Sequence, residues 1–163
     1  KREVYKGYLG ICIGRYPDRN GIIDAPLGRS KIDPVKRTVR PDGRESRTDY
    51  ALLRYQSGIS LLAYRLHTGR THQIRVHMQH IGHSLFNDDV YGGNRILKGT
   101  VFTKYKQFVD NCFALCTRQA LHAKTLGFKH PVTQEEMNFD TELPTDMRAV
   151  VEKWRAYTNS VGQ

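Results

Sequence analysis

The tightest constraint on the fold lies between Thr48 and Gly82, where two strand-like runs pass straight into a helix-like one. Thr48 to Tyr55 and Ile59 to Leu66 are rich in aliphatic, aromatic and β-branched residues, and Gln56-Ser57-Gly58 between them is short enough for a hairpin. A lone hairpin is unstable in water, so it needs more strands and a covering layer. The covering element follows at once. Thr68-Gly69-Arg70 forms a turn, Thr71 stands where an N-cap belongs, and Ile74, Met78 and Ile81 recur on one helical face. Gly82 suits the left-handed position that ends a helix. The pattern predicts a helix over residues 72–81 laid on a sheet.

The rest of the chain extends that sheet. Val4 to Ile13 reads as a strand, with Leu9, Ile11 and Ile13 in alternation. Gly14 to Gly21 reads as turns, and Asp24 falls on a short edge segment set by Pro26, a structural position. Leu121 to His130 and Met137 to Glu142 make a second hairpin about a turn at His130 to Glu135. Lys104 to Phe113 reads as a helix, and Pro144-Thr145 opens another running to Tyr157, with Met147, Val150, Val151 and Trp154 on one side. The expected class is α+β, a mixed, mostly antiparallel sheet flanked by helices. No repeat or linker divides residues 1–163, so one domain is expected.

Composition narrows the partner. The chain carries 26 Lys plus Arg against 16 Asp plus Glu, a formal charge of +10, which favours a polyanion. Arg29, Lys31, Lys36, Arg37, Arg40, Arg44 and Arg47 cluster where Pro34, Pro41 and Gly43 break the chain into turns. Loops of that kind can follow phosphates. No apolar run approaches a membrane span, and the three cysteines, Cys12, Cys112 and Cys116, form no disulfide framework. Reduced thiols in the cytoplasm are the expectation.

Residues 66–93 contain Thr68-Gly69-Arg70-Thr71-His72-Gln73-Ile74-Arg75-Val76-His77, then Ile81-Gly82-His83, Asp88 and Tyr91-Gly92. This stretch resembles the signature of the RluA/RluD-type pseudouridine synthases, which rearrange uridine in RNA. Lys6-Gly7-Tyr8-Leu9, Ile23-Asp24-Ala25-Pro26-Leu27 and Leu121-His122-Ala123 through His130-Pro131 resemble further elements of that family. Two positions depart from its pattern: Ser84 replaces a usual proline and Asn87 a usual glycine. Asn tolerates a left-handed backbone, so the second change can preserve the turn.

The resemblance implies a pseudouridine synthase-like fold and the isomerisation of specific uridines in structured ribosomal or transfer RNA, with no cofactor, no metal, no DNA and no membrane. The reaction moves the ribose C1′ bond from uracil N1 to C5. It needs a carboxylate near C1′, a cation that keeps it ionised, and a flat wall for an unstacked base. The resemblance assigns the cation to Arg75 and the wall to Tyr8. RNA contacts are expected from Arg29, Lys36 and Arg37 on the loops and from Arg70, His72, Gln73 and His77 in the signature. The family's aspartate lies in an Arg-Leu-Asp element, which is absent here, since Arg65-Leu66 runs into His67. The chain is therefore expected to be the C-terminal portion of a catalytic domain, inactive alone, with Arg75 facing solvent or an ion. A non-catalytic RNA-binding module on the same scaffold is the alternative. A metal site at His72, His77, His80 and His83 is disfavoured because His72 and His77 point apart on a helix. His122 is expected to be structural.

Overall fold

The strand read from Val4 to Ile13 lies inside the sheet and carries a layer on each side. The structure is a computed structural model and describes residues 4–14, 19–56, 58–95 and 103–161. The turn residue Ser57 and part of the turn expected at Gly14 to Gly21 lie outside these. Along the chain come β1 (Tyr5–Ile13), β2 (Asn20–Asp24), β3 (Leu27–Arg29), β4 (Arg37–Val39), β5 (Arg47–Gln56), β6 (Ile59–Leu66), α1 (Gln73–His80), α2 (Thr103–Leu115), β7 (Leu121–Lys129), β8 (Glu136–Asp140) and α3 (Thr145–Val161).

The main sheet has the order β2-β5-β6-β1-β7-β8. Every pairing described in it is antiparallel, so the parallel component expected of a mixed sheet is not found among the described residues. Strands β3 and β4 pair separately as a two-stranded sheet, Leu27 opposite Val39 and Arg29 opposite Arg37. That hairpin displays the basic loop residues.

Alternation along β1 decides the layers. Ile11 and Ile13 face a core shared with α2 and α3, where the buried Trp154 ring meets Phe108 at 4.9 Å and Phe86 at 6.0 Å between centroids, both edge-on. Tyr8 and Cys12 face the opposite core, built with Leu62, Tyr64 and Leu85 and closed by Ile74 and Met78 of α1. The sheet is thus sandwiched between α1 on one side and the α2–α3 pair on the other. Along β7 and β8, Leu126 stands opposite Phe139, and these two are 41% and 51% exposed. Phe128 stacks on Phe139 with ring centroids 6.0 Å apart.

Candidate active site

Helix α1 is buried nearly all round: Gln73, Ile74, Val76, His77 and Met78 are inside the protein. Its start differs from the expected one. Thr71 is exposed, and the N-cap is His72, in the left-handed region at φ 55°, with no side-chain cap bond. Gln73 instead braces the turn that leads into the helix, because its Oε1 accepts the Arg70 N–H at 3.0 Å and the Thr68 hydroxyl at 2.7 Å. The end is as expected. Gly82 has φ 83° and donates to Gln79 O, and His83 donates to Met78 O, a Schellman motif.

Gln73 and His77, expected as RNA contacts, are corrected by their burial. Gln73 is 2% and His77 0% exposed, and their polar atoms are used inside the protein. Gln73 Nε2 donates to Arg47 O and to Thr48 Oγ1, each at 2.9 Å. The Thr48 hydroxyl bonds His77 Nδ1 at 2.8 Å, and His77 Nε2 donates to Ala25 O at 2.9 Å. A carbonyl can only accept, so Nε2 carries the ring proton and Nδ1 accepts from Thr48. Burial holds His77 below its ordinary pKa, with His80 adding to the effect and the Ala25 bond and Asp24 opposing it. The chain of bonds ties α1 to β5 and to the link between β2 and β3.

Arg75 leaves α1 toward the loop that follows it. Its Nε and Nη2 donate to Asp88 Oδ2 and Oδ1, both at 2.8 Å. This corrects the expectation that Arg75 faces solvent: its side chain is 12% exposed and that of Asp88 0%. Asp88 Oδ1 also accepts the Val90 and Tyr91 amides at 3.2 Å, so both carboxylate oxygens are occupied. The hydrogen bonds that Arg75 donates to Asp88 raise its pKa against the effect of burial, which keeps the guanidinium charged. Asp88 grips the Nε–Nη2 side of the guanidinium. Nη1 takes no partner among the described residues, and the Arg75 Cζ lies 5.0 Å from the Tyr91 ring centroid. Backbone at Asn87 (φ 59°) and bonds from Asn87 N to Gly93 O and from Gly93 N to Asp88 O fold the loop back on itself. A Cβ on Gly93 would collide with Leu85 O.

His72, half-buried, bonds the buried Tyr91 hydroxyl through Nδ1 at 2.8 Å. Burial lowers its pKa, and the nearby Arg75 and Arg37 charges add to this, opposed by Asp88. His83 bonds Ile13 O, so three of the four clustered histidines hold protein groups instead of converging on an ion. His122 bonds the Thr141 hydroxyl at 2.8 Å. Beside the β3–β4 hairpin lies a pocket of about 490 Å³ lined by Arg29, Arg37, Arg40, Arg44 and Arg70, with Asp42 as its acidic member. Arg40 is held by Asp42 and by Arg29 O, and Arg70 by Glu45 O. Lys36 lies in the hairpin loop, its amide bonded to Asp33 O.

The structure brings Arg37, Arg70, His72 and Arg75 around one end of α1, and places Tyr8 against the same apolar core as Ile74 and Met78. Asp88 and Tyr91, marked in the sequence only by resemblance, are the residues that organise it.

A sequence profile described as RNA pseudouridylate synthase matches residues 1–80. A Chlorobaculum parvum protein described as an uncharacterized RNA pseudouridine synthase is 41% identical over 158 residues, covering 94% of this chain and 48% of that one. Ribosomal large subunit pseudouridine synthase D of Vibrio parahaemolyticus is 37% identical over 162 residues, covering 99% and 48% respectively. The chain belongs to the RluA/RluD-type RNA pseudouridine synthase family. It spans about half the length of the curated relatives it matches. Human RNA pseudouridylate synthase domain containing 4 superposes with a TM-score of 0.70 at 21% identity, over 94% of this chain and 63% of that one, a likeness of fold. The Arg75–Asp88 pair and the α1 relay are thus features of a pseudouridine synthase scaffold.

Proposed function

We propose that this chain is the C-terminal portion of a pseudouridine synthase catalytic domain, acting within a longer enzyme that converts uridine to pseudouridine in structured RNA. The observation that carries the proposal is the set of bonds around Arg75. Asp88 and Tyr91 fix the guanidinium from one side and leave its Nη1 end for a second carboxylate. Within this family, that carboxylate is the one needed at ribose C1′. Asp88 is a poor stand-in, because it is fully buried and both its oxygens are engaged. Asp49 is held by Arg47 and His67. Tyr8, half-buried on the α1 side of the sheet, supplies a ring for the unstacked base.

RNA grip is assigned to Arg29, Arg37 and Arg70 in the basic pocket, with Lys36 on the same hairpin and His72 beside it. Names of relatives favour ribosomal RNA as the substrate. Three buried cysteines, none in a disulfide, fit a cytoplasmic compartment, and no helix among the described residues is long and apolar enough to cross a membrane.

The test is tritium release from RNA carrying 5-tritiated uridine. This chain alone is expected to release none, while retaining affinity for the RNA in a filter-binding assay. Release above background by this chain would overturn the proposed external carboxylate and direct attention to Asp24, Asp49 and Asp88. RNA binding without release, even in the longer protein, favours the non-catalytic binding module.

A further inference from the structure

We propose that the Tyr91 hydroxyl is a positioning group that registers the basic β3–β4 hairpin on the Arg75–Asp88 pair. The inference rests on the reading that this hairpin grips RNA. Four independent contacts of Tyr91 support it. Its hydroxyl oxygen accepts the backbone N–H of Arg37, the first residue of β4, at 3.0 Å. The same hydroxyl bonds His72 Nδ1 at the entry to α1 at 2.8 Å. Its ring lies under the Arg75 guanidinium, 5.0 Å from Cζ to centroid, and its amide donates to Asp88 Oδ1 at 3.2 Å. Around the ring, Leu27 of β3, Val39 of β4 and Val76 of α1 close a small buried core.

Elsewhere the hairpin is tied to its own flanking chain, where Leu27 and Arg44 exchange backbone hydrogen bonds at 2.9 and 2.8 Å and the Arg40 amide donates to Pro26 O, and none of these bonds reaches Arg75 or Asp88. Its two strands have three residues each and are not part of the six-stranded sheet. Apolar packing on Leu27 and Val39 holds it down but does not set its register, because such contacts are non-directional. The hydrogen bond to the Arg37 amide is directional and is made from a residue that also touches Arg75 and Asp88. A phosphate gripped by Arg37 therefore sits at a fixed distance from the guanidinium proposed to hold the catalytic carboxylate. Tyr91 touches no reacting atom in this scheme. It acts through Arg37 and Arg75.

Tyr91→Phe isolates the hydroxyl, since the ring keeps its place in the core and under Arg75. Ser84→Ala is the control. It removes the 2.7 Å bond from Ser84 Oγ to Tyr91 O, loosening the same loop without touching the hydroxyl. Amide hydrogen exchange by NMR on this chain is the first readout. Protection of the Arg37 amide is expected to fall about ten-fold in Tyr91→Phe and to hold in Ser84→Ala, with amides of β1 and β6 unchanged in both. The second readout is affinity for a fluorescein-labelled RNA stem-loop with uridines in its loop, expected to weaken about five-fold in Tyr91→Phe alone, the equivalent of one hydrogen bond. Unchanged Arg37 protection in Tyr91→Phe overturns the proposal, as does equal loss in both variants. If the unmutated chain fails to bind the stem-loop, the RNA reading of the hairpin falls, and the exchange comparison alone decides the registration.

Discussion

Thr48→Val is the sharpest perturbation of the buried relay, because valine matches threonine in shape and suits a strand. Thr48 is 0% exposed. Its hydroxyl accepts from Gln73 Nε2 at 2.9 Å and donates to His77 Nδ1 at 2.8 Å. The variant removes both bonds. Gln73 Nε2 keeps its bond to Arg47 O, so the amide loses one of two partners. His77 Nδ1 loses its donor in a site water does not reach. Leaving a buried polar atom unpaired costs about 1–3 kcal/mol, so a loss of about 2 kcal/mol is expected. For a domain of this size that lowers Tm by about 4 to 8 °C. Urea and thermal unfolding followed by circular dichroism at pH 7.5 measure both quantities. A loss below about 0.5 kcal/mol would refute the relay as the tie between α1 and β5, since a satisfied or solvated Nδ1 carries no such penalty.

Three further outcomes follow from the same geometry. His77 is held below the ordinary value of 6.5 by burial, so the unfolded chain takes up the proton first and folding stability falls as pH drops below about 6.5. Its share of the slope reaches about 1.4 kcal/mol per pH unit, read from urea midpoints between pH 7.5 and 5.5; a flat profile would contradict a neutral, buried imidazole. Asp88→Asn leaves the Arg75 charge poorly compensated with only 12% of its side chain exposed, and is expected to cost about 3 kcal/mol, whereas a change under 1 kcal/mol would show the pair to be dispensable to the fold. Gly82→Ala and Gly93→Ala separate two reasons for glycine. Open space surrounds Gly82, so only its left-handed backbone is strained and about 1 kcal/mol is lost, while the Gly93 Cβ meets Leu85 O and costs about 3 kcal/mol; equal losses would contradict this distinction.

Much of the scaffold was legible because its signals are local. β1, the β5–β6 hairpin and α3 follow from periodicity and turn residues, and their ends shift by only a residue or a few from the expected ones. The β3–β4 hairpin was read only as basic turns, because three-residue strands among prolines, glycines and arginines carry no period. Gln73 and His77 were placed on RNA since a polar residue on a helix reads the same whether it meets solvent or a buried hydroxyl. Their separation by one helical turn puts them on one face, but only the approach of Thr48 from β5 shows that face to be buried. Thr71 falls one residue before the N-cap, because the chain turns through the left-handed region at His72 and helical geometry starts only at Gln73. Arg75 stands out in the sequence as an arginine between Ile74 and Val76, while its partner Asp88 lies on a loop whose path depends on Asn87 and Gly93. That pairing is a tertiary fact and leaves no periodic trace in the sequence.

The most direct measurement compares the longer enzyme with its Arg75→Lys variant in the 5-tritiated uridine release assay, alongside the RNA dissociation constant of each. Lysine keeps one charge but cannot hold two carboxylates through two sides of a planar group. Release is expected to slow at least ~100-fold, about the 2.7 kcal/mol expected of a lost charge-stabilising contact, with RNA affinity changed less than about three-fold. A variant that releases tritium at the unmutated rate would contradict the assignment of Arg75 as the holder of the catalytic carboxylate.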